Sequence, residues 1–184
     1  ISERLQTARE LVDHRDHLQA LVGERTAQIR AMLDANPQAI ILSIDEHIRV
    51  VNPAFEALFG FSSASIAGLP ESSIHKDSYA YACTRSAIQS RLNLGGTYRG
   101  EAELRRCDGT LFWAQLCVRA LHPESLEKGV IFIIDDVTAQ RDTAEQLRRS
   151  ERLKRAVLDS AAEGFALVDD EHRFEEVNQA FCSL

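Results

Sequence analysis

The chain has 184 residues, 45% of them hydrophobic and 27% charged, with a formal net charge of −7 at pH 7. This composition suits an ordinary core, and its acidic balance excludes the basic footprint that nucleic acid or an anionic membrane surface would select. Four cysteines (Cys83, Cys107, Cys117 and Cys182) stand apart with no CxxC pair or clustered histidines, which excludes a disulfide framework and a zinc site and fits a reducing cytoplasm.

Residues 2–33 hold no proline and only Gly23, and their apolar positions recur at helical spacing. With Ala8, Arg15, Val22 and Ile29 in one heptad position, Leu11, Leu18, Arg25 and Met32 fall in the other. Two arginines interrupt the seam, so the stretch predicts a marginal coiled coil, or else an amphipathic helix covering its own domain. His14 and His17 lie three apart on it without the carboxylate or Asn company of a phosphoacceptor site, so they read as a solvated face.

AIILSID (39–45) and IRVVN (48–52) predict two strands joined by a polar turn at Glu46-His47. In PAFEALFGF, Pro53 suits a first helical turn and Gly60 a C-cap. SSASIAGLPESSIHKDS breaks into short turns, YAYACTRSAIQSRLNL (79–94) has helical composition, and three β-rich stretches follow: TYRGEAELRR, TLFWAQLCVRAL and GVIFIID. Their connections, a CDG turn and HPESLEKG, belong to antiparallel sheets. TAQRDTAEQLRRSERLKRAVLDS (138–160) then predicts a second long helix, with Thr138 and Asp142 near its start. The order is α+β. The longest apolar runs, such as VIFII at 130–134, are too short to span a bilayer.

LDANPQAIILSIDEH at 33–47 returns as LDSAAEGFALVDDEH at 158–172, an offset of 125 residues, and EVNQAF echoes VNPAF after a one-residue insertion. The chain begins inside a helical pattern and stops within a repeated motif, so a slice of a longer protein is expected.

Three segments in order, IDEHIRVVNPAFEALFGFS, RRCDGTLFWAQLCVRAL and IIDDVTAQ, resemble the PAS sensory domain. The last resembles the Asp-hydrophobe-Thr junction of that family, here Asp136-Val137-Thr138. The resemblance implies a five-stranded antiparallel sheet with short helices on one face, flanked by long N- and C-terminal helices. It divides the chain into an N-terminal helix (1–29), a PAS domain (30–138), a linker helix (139–158) and the truncated start of a second PAS domain (159–184). That second copy lacks three strands and is not expected to fold as a full domain.

PAS domains share shape more than chemistry, so the ligand has to be read from the pocket. Alternation along β-strands, set in the frame implied by flavin-binding relatives, points Phe112, Ala114, Leu116, Val118 and Ala120 inward, with Leu104 and Ile134 on the neighbouring strands. Phe55, Phe59, Leu104, Phe112, Ala114, Leu116, Phe132 and Ile134 are therefore the expected pocket lining. Leu104, Ala114 and Ile134 stand at positions that resemble those where Asn, Asn and Gln hold the flavin ring in the light-sensing subclass, and no photoreactive Cys motif stands at 69–78, which argues against a flavin–cysteine adduct. Non-covalent FAD stays open. So does haem, for which His75 is a weak axial candidate and Tyr79, Tyr81 and Cys83 weaker ones; Cys83 in a helix reads as a small buried residue. The leading expectation is no cofactor, the large side chains filling the space, with a small hydrophobic ligand behind it.

Leu111, Trp113, Ile131 and Ile133 make the outer sheet face apolar, and such a face needs a cover. Ile29, Met32 and Leu33 are placed to supply it, in the chain's own fold or, as the resemblance implies, in a parallel homodimer. No nucleophile–base–acid set or phosphate loop is visible, so no catalysis is expected. The expected function is a sensory relay whose effector, a histidine kinase or a diguanylate cyclase/phosphodiesterase, lies elsewhere in the full-length protein. DHLQALVGERTAQIR resembles linkers that follow an inner-membrane anchor. A structural dimerisation spacer and a flavin- or haem-based redox or gas sensor are the alternatives.

Overall fold

A computed structural model describes residues 2–122, 124–160, 166–171, 173–177 and 180–181. The chain divides into two compact units, Ile1–Asp136 and Val137–Leu184.

In the first unit, α1 spans Ser2–Asp34, the stretch that carries the helical spacing. β1 (Ala39–Ile44) and β2 (His47–Val51) follow, then α2 (Pro53–Phe59), α3 (Ser63–Ile66) and a 3-10 turn at Glu71–Ile74. α4 (Ser78–Leu92), β3 (Tyr98–Arg105), β4 (Leu111–Ala120), a second 3-10 turn at Leu126–Lys128 and β5 (Val130–Asp136) complete it. The strands form the expected five-stranded antiparallel sheet in the order β2-β1-β5-β4-β3, so the last strand in sequence lies at its centre. α2 lies against β1, and α4 against β3 and β4.

Local chemistry sets these boundaries. The β1–β2 turn sits one residue earlier than expected, at Asp45-Glu46, because Ile44 pairs with His47. A two-residue hairpin loop of this kind requires positive φ at both central positions, and Asp45 (52°) and Glu46 (61°) adopt it. α2 ends at Gly60, φ 75°, whose amide donates to the Glu56 carbonyl. A Cβ there would lie 2.6 Å from Cys107 Sγ, so glycine answers both the left-handed conformation and the close approach. The Cys107 amide donates to the Phe59 carbonyl at 2.9 Å, which ties the end of α2 to the β3–β4 hairpin.

The start of α2 is held by Asn52, only 2% exposed. Its Oδ1 accepts from Ile40 N at 2.8 Å and from Phe55 N at 3.1 Å. Its Nδ2 donates to the carbonyls of Gln38 (2.9 Å), Leu33 (3.1 Å) and Asn36 (3.4 Å). One amide therefore caps α2, fixes the start of β1 and receives the end of α1.

β4 alternates between exposed or half-buried and buried residues, and cross-strand partners place Leu104 opposite Phe112, Leu116 opposite Ile134 and Val118 opposite Phe132. These buried residues face Phe55 and Phe59 in one core, where the two phenyl rings stack at 4.4 Å and Phe59 meets Phe112 edge-on at 5.3 Å.

The second unit opens with α5 (Thr138–Ser160), over the stretch whose sequence predicts a helix. An antiparallel hairpin follows, β6 (Ala166–Val168) with β7 (Phe174–Val177). Asp169 closes its turn, accepting from the amides of Glu171 and Arg173 at 2.9 Å each. The repeat that echoes the first hairpin thus forms a hairpin of its own. Cys182 lies outside the described residues; Cys83, Cys107 and Cys117 are free thiols.

Replacing Asn52 with Ala removes a helix cap and strands buried amide and carbonyl groups, so unfolding free energy should fall by roughly 2–4 kcal/mol. Urea denaturation checks this as a lower midpoint with an unchanged slope.

Candidate functional site

A cavity of about 350 Å³ opens between α4, the β1–β2 turn and the lower end of β5. Four separated segments build it: Ser43 to Glu46, Glu71 to His75, one face of α4, and Leu126 to Phe132. Tyr81, Arg85, Ile88 and Leu92 fall at helical spacing on α4, so one face of that helix presents first polar and then apolar groups to the cavity. Asp45, Glu46, Gln89 and Glu127 at the rim are exposed, so the mouth meets solvent.

One wall is apolar: Ile88, Leu92, Leu126, Val130 and Phe132. The other is polar and wired. Arg85 pairs with Glu46 at 2.7 Å and donates to Tyr81 Oη at 3.1 Å, while Tyr81 Oη donates to Glu46 at 3.1 Å. Ser43, 2% exposed, donates to the His47 carbonyl at 3.2 Å. Burial raises the Glu71 carboxyl above the ordinary range, against the Ser43 hydroxyl and the Arg85 charge, which both favour its ionised form.

His75 is 6% exposed and lines this cavity and a small void of about 10 Å³ beside it. Its backbone bridges to Leu104 on β3, and its ring meets Tyr81 edge-on at 5.1 Å. Nδ1 has no hydrogen-bond partner, alone in this among buried side-chain atoms of the described residues. Burial pulls its pKa down from 6.5 to about 4, so the ring is neutral at physiological pH.

Of the eight residues expected to line a pocket, only Phe132 lines the larger cavity. Leu104, Leu116 and Ile134 border the small void and not the cavity, and Phe55, Phe59, Phe112 and Ala114 border neither. The stacked aromatic rings close the centre of the sheet, and the open space is displaced toward α4. Cys83 is exposed, where a buried residue was expected, and Tyr79 is 80% exposed and away from the cavity. His14 and His17 are exposed on α1.

The cavity residues do not fit FAD or haem. Four carboxylates line the cavity against one guanidinium, already paired, which repels the pyrophosphate of a flavin dinucleotide and the propionates of haem. The volume sits at the small end of the roughly 300–1,000 Å³ range of ligand sites. No group of three metal-ligating side chains occurs among the described residues.

A second constellation lies at the other end of β5. Arg106 Nε donates to the Leu58 carbonyl at 2.9 Å, and its terminal nitrogen pairs with Asp136 at 2.6 Å. Its guanidinium sits 4.2 Å over the Phe112 ring. Beside it, the Gln38 amide donates to Asp135. On the outer face, Trp113, Ile131 and Ile133 are half-buried and Leu111 is exposed. Ile29 (59%) and Met32 (74%) stay exposed and Leu33 is half-buried, so these positions of α1 do not seal that face. No helix among the described residues is long and apolar enough to cross a membrane.

Residues 37–139 match a family model described as PAS domain, and residues 152–184 match a second model of the same description. Among solved structures, the PAS domain of a Colwellia psychrerythraea protein is 22% identical, covering 62% of this chain and 98% of its own, with a TM-score of 0.56. The PAS domain of a LuxR-family transcriptional regulator from Burkholderia thailandensis, in complex with ethanol, is 21% identical over 59% of this chain and 96% of its own, TM-score 0.55. A PAS domain from a two-component sensor histidine kinase is 12% identical over 62% and 98%, TM-score 0.51.

A histidine that folding keeps neutral stabilises the protein above its unfolded pKa of 6.5, and that contribution is lost as pH falls toward about 4. The stability of the native protein relative to His75→Phe should therefore fall by roughly 3 kcal/mol as the pH drops across that window. Urea midpoints at a series of pH values check this; a flat difference would mean that the ring is solvated in the fold.

Proposed function

Because the chain belongs to the PAS domain family, we propose that it is a sensory and relay module of a larger bacterial signal-transduction protein, passing its signal through a dimeric helical linker. The wiring of Arg106 carries the reading. It joins the carbonyl of Leu58 on α2, the ring of Phe112 on β4 and the carboxylate of Asp136, the last residue of β5. α5 begins two residues later at Thr138. A change in core packing therefore reaches the end of the strand, and Asp136-Val137-Thr138 hands it to the helix as a rotation or register change.

The effector in this reading is a histidine kinase or a diguanylate cyclase/phosphodiesterase, and the module works in the cytoplasm, with an inner-membrane tether elsewhere in the protein. Folds of this kind from a LuxR-family regulator and a sensor histidine kinase support the class of protein. The homodimer uses the outer sheet face (Leu111, Trp113, Ile131 and Ile133) with Ile29, Met32 and Leu33. Exposure of Ile29 and Met32 favours a second chain as the cover over the chain's own helix. The pocket residues of this reading are those of the α4 cavity.

Asp136→Ala in the full-length protein tests relay against a passive spacer. Under the relay reading, effector output at a fixed signal changes by roughly 5-fold or more, in the range of ordinary coupling energies. A spacer would give unchanged output with the dimer and its circular dichroism preserved.

A further inference from the structure

β3 is the last strand of its sheet. β4 pairs with it on one side, and on the other, among the described residues, only His75 bridges to it, at Leu104. The Arg106 amide donates to the Thr110 carbonyl at 2.9 Å. By the alternation of an antiparallel ladder, Tyr98, Gly100, Ala102 and Leu104 then bond to β4, and the main-chain groups of Arg99 turn to the open edge. An uncovered edge of this kind is a template for a further strand. A groove of about 420 Å³ opens beside it, lined by Ala87, Ser90, Arg91, Leu94, Tyr98 and Arg99.

The charge of this groove is of one sign. Arg91 borders it from the end of α4 and Arg99 from the start of β3. Arg119 stands diagonally across from Arg99 on the same face of the sheet, two residues beyond the cross-strand partner Cys117. None of these three guanidiniums has an ion-pair or hydrogen-bond partner among the described residues, whereas those of Arg85, Arg106 and Arg173 each meet a carboxylate. In a chain of net charge −7 this corner is a local reversal of sign. It is apolar as well: Leu94 is 79% exposed there, in the same groove as the half-buried Tyr98. A free anion would leave Leu94 in water and the strand edge unpaired. An extended peptide answers all three features, with main-chain groups for the edge, carboxylates for the arginines and apolar side chains for Leu94 and Tyr98. We propose that this corner docks an acidic segment of a partner protein, extended along the edge of β3, its carboxylates on Arg91 and Arg99 and its apolar residues on Leu94 and Tyr98. The site is separate from the α4 cavity and from Asp136, and gives the module a surface for a second protein.

Isothermal titration of this chain with the end-capped peptide Glu-Leu-Glu-Leu-Glu tests it, beside the same peptide with Gln for Glu, inorganic phosphate and a thymidine oligonucleotide. The expected result is one saturable site for the acidic peptide, with binding weaker by about tenfold or more for the Gln peptide, for phosphate and for the oligonucleotide. Raising the salt from about 50 to 300 mM should weaken the acidic peptide several-fold, because both arginines are exposed. The double variant Arg91→Gln/Arg99→Gln should weaken it by about tenfold or more with an unchanged urea midpoint, while the charge-matched Arg25→Gln/Arg30→Gln on α1 stays within about twofold of the native protein. No binding of the acidic peptide, equal affinity for the Gln peptide, or phosphate or oligonucleotide bound as tightly as the acidic peptide would each overturn the proposal. So would an unaffected Arg91→Gln/Arg99→Gln variant, or the same loss in both double variants. The Asp136→Ala output assay does not involve this corner, so the relay reading stands or falls separately.

Discussion

A single buried carboxamide holds the first unit together. Asn52 sits where α1, the start of β1 and the N-terminus of α2 meet, and its two heavy atoms satisfy five backbone groups from those elements. Two of those groups are helix ends that have no i to i+4 partner within their own helix, the Phe55 amide at the start of α2 and the Leu33 carbonyl at the end of α1, and the other three belong to β1 and the segment that leads into it. A carboxamide answers both because it donates from one side and accepts from the other. An aspartate would keep the cap but could not donate, and a serine could not span the distance. The direction in which α1 leaves the sheet is thus set at the same point that starts α2.

From that point two lines of contact run to the end of β5. Gln38, whose carbonyl Asn52 holds, reaches Asp135 with its side chain. α2, capped by Asn52, ends near Leu58, whose carbonyl receives Arg106, and Arg106 holds Asp136. The β3–β4 hairpin joins through the Cys107 amide on Phe59 and the close approach of its thiol to Gly60. The two acidic residues that close the sheet are therefore anchored from opposite sides, one through the N-terminal segment and one through the hairpin. The α4 cavity lies away from these anchors, toward the β1–β2 turn, and Phe132 on β5 is the strand residue shared between the cavity and the core.

The sheet was legible in the sequence because alternation is a property of one strand at a time. Alternation in TLFWAQLCVRAL separates two faces without reference to any neighbour, the frame implied by flavin-binding relatives chose the inward one, and the structure buries Phe112, Ala114, Leu116 and Val118. The cavity was not legible, because its walls come from four segments and no one of them is unusual. Ser43 reads as a strand residue, Glu71 as a turn, Tyr81 and Arg85 as helix surface. The helical spacing of Tyr81, Arg85, Ile88 and Leu92 was the one available signal. The family frame pointed to a central pocket that its large side chains were expected to fill, and there Phe55, Phe59 and Phe112 pack against one another. Arg106 escaped notice for a similar reason: its partners are a carbonyl and a carboxylate 48 and 30 residues away in sequence.

β5 is bonded along both edges, to β1 through Val130 to Ile134 and to β4 through Val130 to Asp136. A slip of one residue would break both ladders and bring Ile131 and Ile133 to the face that Phe132 and Ile134 now fill. Sliding along its own axis is thus closed to this strand in anything but two-residue jumps. It behaves as a strut clamped between neighbours, free to tilt or twist with the whole sheet. Any message carried along its backbone to Thr138 has an angle to vary, and no length.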